Sequence, residues 1–212
     1  MRLIIIFIVL SNFLMSDSFR FKSELISPTL KEQMINNGSW RDGCPVAIKD
    51  LRYIKLSYID FNGKINNNGH LIVHRKVVSD IKSIFKTLFY NKFKIQKMQL
   101  VSHNNYKSSD DKSMMANNTS AFNCRNVYKS KKFSKHSYGI AIDINPVQNP
   151  CVTGNRVSPK NGVRYKNRTK KFKGMIQKND NTYKLFKKYG WQWGGEWHSL
   201  KDYQHFVKKP FI

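Results

Sequence analysis

The chain has 212 residues, with 38 Lys and Arg against 13 Asp and Glu, a formal net charge of +25. That length suits one domain with a short appendage, and 40% apolar and 13% aromatic residues suffice for a packed core, which excludes wholesale disorder. No apolar run of about 18 residues follows the N-terminus, which excludes a multi-pass membrane protein, and no repeat of roughly 20–50 residues marks a solenoid or propeller.

The positive charge has two readings: attraction to a polyanion, or compositional drift towards Lys, Asn and Ile, as in an AT-rich genome. The basic residues are scattered, without a long block. Drift plus a general affinity for an anionic envelope is the preferred reading, and nucleic acid is not expected as a partner.

In chain order, Arg2, the apolar run 3–10 extended by Phe13, Leu14 and Met15, and the small residues around Ser16-Asp17-Ser18 form the three-part pattern of a secretory signal over residues 1–18. An uncut membrane anchor is the alternative. Export, to a periplasmic or extracellular location, is the expectation. Residues 19–50 read as a lead-in and 51–212 as the main domain. Ser27-Pro28-Thr29 followed by Leu30, Met34 and Ile35 predicts a short helix ending near Asn36-Asn37-Gly38. Strand content over 51–61 ends at the Asn62-Gly63 turn signal. A polar loop is expected at 66–69, and a brief strand at 70–74. Val77, Val78, Ile81, Ile84, Phe85, Leu88 and Phe89 recur at three- and four-residue steps and predict an amphipathic helix over about 75–90.

A strand is expected over 93–101, a long polar loop over 102–120, a further strand over 121–127 and a clearer one over 138–145, ended by Pro146. Residues 147–180 read as irregular. Asn181 to Tyr189 reads as a short helix closed by Gly190, and a last strand lies near 203–207. This order indicates an α+β fold, with a small antiparallel sheet flanked by helices. The three cysteines, Cys44, Cys124 and Cys151, allow one disulfide with one thiol left over. Their spacing contains no CxxC pair, so a cysteine zinc site is not expected.

Two segments concentrate metal-ligating residue types. In the first, Ile140, Ile142 and Ile144 alternate with Ala141, Asp143 and Asn145, so Asp143 lies on the face opposite the isoleucines, with Gly139 and Ala141 leaving open volume beside it. Burying a lone carboxylate is costly, and a cation would supply its partner. His136 stands seven residues earlier, so it can share an ion with Asp143 only from a loop before the strand. The second segment offers Glu196, His198, Asp202 and His205. Two imidazoles and one carboxylate leave a position open for water on zinc, and a further carboxylate nearby can act as general base. Trp191, Trp193 and Trp197 are expected in core packing, and Asp110 and Asp111 as loop-capping carboxylates.

These segments resemble the D-alanyl-D-alanine carboxypeptidase (VanY-like) zinc peptidases of the LAS group, which also includes the vancomycin-resistance D,D-dipeptidases and the phage L-alanyl-D-glutamate endopeptidases. Ser134, His136, Gly139, Ala141 and Asp143 match the first motif, SxHxxGxAxD; Asp202 and His205 match the second. Trp193-Gly194-Gly195, the run 118–125 and Asp143-Ile144-Asn145-Pro146 add to the likeness, which spans roughly residues 40–207. The resemblance implies a hedgehog/D,D-peptidase-like fold. It implies one Zn2+ per chain held by His136, Asp143 and His205, with Asp202 as general base. Arg125 would steady the substrate carbonyl or oxyanion, and Ser134 would hold the substrate or the loop. It also implies peptidoglycan stem peptides as substrate and Cys44–Cys124 as the disulfide. Glu196 with His198 is a rival pair, disfavoured by its spacing of two. The activity expected is D-alanyl-D-alanine carboxypeptidase. L-Alanyl-D-glutamate endopeptidase and a catalytically inactive wall-binding module are the alternatives.

Overall fold

The computed structural model describes residues 18–209, so all but the last residue of the expected leader lies outside the described residues. Its elements are β1 (Phe21–Glu24), α1 (Pro28–Asn36), β2 (Leu51–Ile59), β3 (Ile65–His74), α2 (Val78–Tyr90), β4 (Lys97–Met98), α3 (Asp110–Met115), β5 (Asn118–Thr119), β6 (Ala141–Asp143), β7 (Cys151–Thr153), β8 (Arg156–Ser158), α4 (Asn181–Lys188), β9 (Trp191–Trp193), β10 (Lys201–Asp202) and β11 (His205–Lys208).

The strands form three antiparallel three-stranded sheets, ordered β1-β2-β3, β10-β7-β8 and β6-β11-β9, and a short parallel pair, β4-β5. This is the α+β class read from the sequence, with the single expected sheet divided among several small ones. Among the described residues no helix is long and apolar enough to cross a membrane.

Local signals explain the clearest elements. Ser27 caps α1 by accepting a hydrogen bond from the Leu30 N–H (3.2 Å), and Pro28 occupies the first turn. The stripe of α2 buries Ile81, Ile84, Phe85 and Leu88 in a core shared with Ile54, Leu56, Leu71, Val73, Ile140, Ile142, Phe186, Trp191 and Phe206, and Phe89 is buried against Phe19. A smaller cluster beneath α1 joins Met34, Val46, Leu51, Ile72 and Phe122 to Cys124. The lead-in is fastened to the rest of the molecule: β1 pairs with β2, and Cys44 is disulfide-bonded to Cys124 across 80 residues. Cys151 is the free cysteine.

Several expectations are corrected. Residues 66–69 are strand, because β3 pairs with β2 through backbone groups whatever the side chains. Within 93–101 only Lys97 and Met98 pair as strand. The flanking Gln96 and Gln99 N–H groups donate instead to the side-chain oxygens of Asn145 (3.0 Å) and Asn118 (2.8 Å). The expected loop 102–120 contains α3 and β5. The stretch 121–127 forms no ladder beyond an isolated bridge at Asn126. The strand expected over 138–145 is confined to 141–143. Residues 147–180 contain the β7–β8 hairpin and a 3-10 turn over 160–165.

Candidate active site

His136 sits on a 3-10 turn, Lys135–Tyr138, immediately before β6, as the seven-residue step to Asp143 required. Ser134 caps that turn: its hydroxyl accepts from the His136 N–H (3.3 Å), so this side chain holds the loop. Gly139 closes it in the left-handed region (φ 67°), and a Cβ there would stand 2.6 Å from the His74 nitrogen. Gly139 and the buried Ala141 therefore pack against protein and do not leave open volume beside the carboxylate, which corrects that expectation.

Asp143 ends β6, and His205 begins β11 directly opposite in the antiparallel ladder, so the two side chains emerge side by side. An exchanged pair of backbone hydrogen bonds with Ser120 (2.9 and 3.0 Å) fixes the Asp143 backbone.

The three side chains meet. His136 Nε2 lies 3.1 Å from His205 Nδ1 and 3.2 Å from Asp143 Oδ2, and His205 Nδ1 lies 3.0 Å from Asp143 Oδ1. They form a His–Asp–His cluster able to hold a metal ion. The donor set fits such an ion. His136 Nδ1 bonds to the Ala121 carbonyl, which can only accept, so Nε2 presents its lone pair to the cluster. Four-coordinate zinc with bonds near 2.0–2.1 Å separates its ligand atoms by about 3.3 Å, close to the spacing seen here. Burial pushes the Asp143 carboxyl up, but the two adjacent imidazoles more than offset this and hold it well below the usual carboxylate range.

Asp202 lies in β10, paired with Cys151 of β7. The turn after β9 approaches it closely: a Cβ on Gly194 would lie 2.9 Å from Asp202 Cβ and 3.3 Å from His205 Cβ, so both residues stand over the same glycine. Asp202 Oδ1 is buried without a hydrogen-bond partner among the described residues. Burial, and then the charge of Asp143, push this carboxyl up to about 6, against the pull of His205, Gln204 and His136.

Arg125 flanks the centre. Its Nε forms an ion pair with Asp110, and the charges of Asp143 and Asp202 reach its guanidinium. Its backbone is tied to the His136 turn, since the Arg125 N–H donates to Ser137 Oγ (2.9 Å) and its carbonyl accepts from the Ser134 N–H (2.9 Å).

The rival pair stands elsewhere. Glu196 accepts from the Tyr183 hydroxyl (2.7 Å) and pairs with Lys187 (3.2 Å), and His198 is exposed. Trp191 and Trp193 are core residues, whereas Trp197 is half-buried with its ring 5.2 Å from that of His205. Sequence reasoning missed Ser137, the Ala121 carbonyl and the link from Asp110 to Arg125. Of these only Ser137 had a local signal, its place inside the first motif.

Three convergent donors and, beside them, a carboxylate with one buried, unpartnered oxygen define a candidate metallohydrolase centre. Residues 128–208, the segment that carries both motifs, match the family model described as D-alanyl-D-alanine carboxypeptidase. No curated protein and no solved structure matches the chain. Arg125, Asp110 and the disulfide lie before the matched segment.

Proposed function

We propose that the chain is an exported zinc metallopeptidase that trims peptidoglycan stem peptides, removing the terminal D-alanine by attack of water on the preceding peptide bond. The observation that carries this reading is the convergence of His136, Asp143 and His205 next to the unpartnered Asp202 oxygen. Bound zinc would polarise the scissile carbonyl and acidify the attacking water. The residues of the chain do the rest. The Ala121 carbonyl orients the His136 ring, Asp202 accepts the proton of the water, and Arg125 offers N–H donors to the developing oxyanion.

Export is supported by the leader pattern before residue 19 and by the Cys44–Cys124 disulfide, which suits an oxidising compartment. The net charge of +25 favours residence on an anionic wall.

Mass spectrometry of purified peptidoglycan fragments, incubated with and without chelator, tests the proposal. Loss of one terminal alanine, abolished by chelator and restored by zinc, is the expected result. A cut between L-alanine and D-glutamate would move the assignment to the endopeptidase reading. Stoichiometric zinc without any product would overturn enzymatic function in favour of a wall-binding module.

A further inference from the structure

Asp110 opens the short helix α3, and both of its oxygens reach across to one stretch of extended chain. Oδ2 pairs with Arg125 Nε, and Oδ1 accepts from Asn123 Nδ2 (2.8 Å). Asn123 and Arg125 are two residues apart, the spacing that directs two side chains of an extended segment to the same side.

The same stretch is held from behind. The Cys124 N–H donates to the Ser39 carbonyl (2.9 Å), its own carbonyl accepts from Arg41 Nη1 (2.9 Å), and its sulfur is bridged to Cys44. Ser137 Oγ donates to the Arg125 carbonyl (2.7 Å). The Arg125 backbone is therefore fixed to the turn that carries His136, and its Nε is buried in an ion pair with Asp110. Nη1 bonds only to the Asn126 carbonyl (3.3 Å), and Nη2 has no protein partner among the described residues.

We propose that Asp110 is a positioning residue: its carboxylate anchors Arg125 through Nε and turns the free end of the guanidinium towards the centre formed by His136, Asp143, His205 and Asp202. This inference rests on the peptidase reading above. The physical reason lies in the guanidinium itself, a rigid planar fork in which fixing one N–H sets the directions of the others. An arginine without this anchor would have to order its long side chain at each encounter with substrate, which slows the chemical step more than it weakens binding. The pair is also partly exposed, with the Arg125 and Asp110 side chains 38% and 25% accessible. Nε itself is buried, so the thermal midpoint is read beside kcat to separate a loss of orientation from a loss of stability.

The test compares wild type with Asp110→Asn, Asp110→Glu, Arg125→Lys and the Asp110→Asn/Arg125→Lys double variant, by kcat and KM on a muropeptide, bound zinc and thermal midpoint. Asp110→Asn keeps the shape and the oxygen that accepts from Asn123. It should retain zinc and the thermal midpoint, lose kcat by about 10- to 100-fold, and change KM by less than about threefold. Asp110→Glu should recover part of the lost kcat. In the Arg125→Lys background the Asp110 change should cost less than about threefold, because the two residues act as a unit.

Wild-type kcat in Asp110→Asn, losses that multiply in the double variant, or a folded Asp110→Glu without recovery would each overturn the assignment. A readout free of substrate separates its failure from failure of the peptidase reading. The Arg125 Nε–H, identified in 1H–15N spectra by its disappearance in Arg125→Lys, should exchange slowly in wild type and rapidly in Asp110→Asn. Fast exchange in wild type would overturn the pairing even if no muropeptide is cut.

Discussion

Asp143 and Asp202 are two neighbouring carboxyls pushed in opposite directions by their surroundings. The imidazoles of His136 and His205 keep Asp143 ionised, whereas burial and the charge of Asp143 raise Asp202 to about 6. Carboxyls separated in this way suit the different roles proposed above, the first as ligand and the second as proton acceptor. Asp202→Asn should therefore keep zinc and lose roughly 100-fold or more in kcat, whereas His205→Ala should lose both metal and turnover. Equal metal loss in the two variants, measured by atomic absorption, would contradict the split.

The pH dependence follows from the same residue. A base acts only when ionised, so kcat/KM should rise with pH through the Asp202 ionisation. A cation beside the carboxyl favours the charged form, so the acid limb should fall between the ordinary 3.8 and about 6. A limb well above 6 in the pH–rate profile would point to another group. At this scale the meeting of His136, Asp143 and His205, with Asp202 beside them, was legible in the sequence because their spacings are motif-like. Asp110 was not: its partners, Asn123 and Arg125, lie 13 and 15 positions away across a turn whose course the residues do not announce.

The 3-10 turn over 135–138 is the element on which the site's geometry depends most. Gly139 has to combine a left-handed backbone with contact against His74, whose N–H donates to the Gly139 carbonyl (2.8 Å). Gly139→Ala should thus cost at least about 2 kcal/mol, since a left-handed non-glycine residue alone costs roughly 1–2 kcal/mol and the 2.6 Å backbone approach adds to it. Urea denaturation measures the loss, and metal affinity should fall with it because His136 is carried by the same turn.

Elements with a strong internal pattern, such as α2 and the alternating isoleucines before Pro146, were legible because periodicity is local. The polar end of β3 was misread as loop because only its pairing with β2 makes it strand. Residues 93–101 were misread as a full strand because asparagine side chains replace ladder partners there. Asn145, in the left-handed region (φ 45°), accepts from the Gln96 N–H and donates to the carbonyls of Lys94 (2.8 Å) and Gly174 (3.0 Å), a hub no spacing rule reveals.

Across the whole molecule, the family likeness and the site do not coincide in extent. The matched segment contains His136, Asp143, His205 and Asp202, together with Ser134 and Ser137 that tie the Arg125 backbone, while Arg125 itself and its other supports come from residues 39–125, joined to the segment by the backbone hydrogen bonds of Ser120 with Asp143 and of His74 with Gly139. The α+β class was legible from the order of elements, but its division into several small sheets depends on which distant strands meet, and composition is silent on that.

His136 and His205 stand 69 residues apart, so an ion held between them would act as a removable crosslink between remote parts of the chain. The unfolded polymer cannot gather such donors at comparable affinity, and mass action then adds about 4 kcal/mol of resistance to melting at a thousandfold excess over Kd. Calorimetry should show the transition sliding upward with each tenfold rise in free zinc and settling at a floor under EDTA. Durability in this molecule would then be supplied in part by its surroundings, rising and falling with the trace metal they happen to contain.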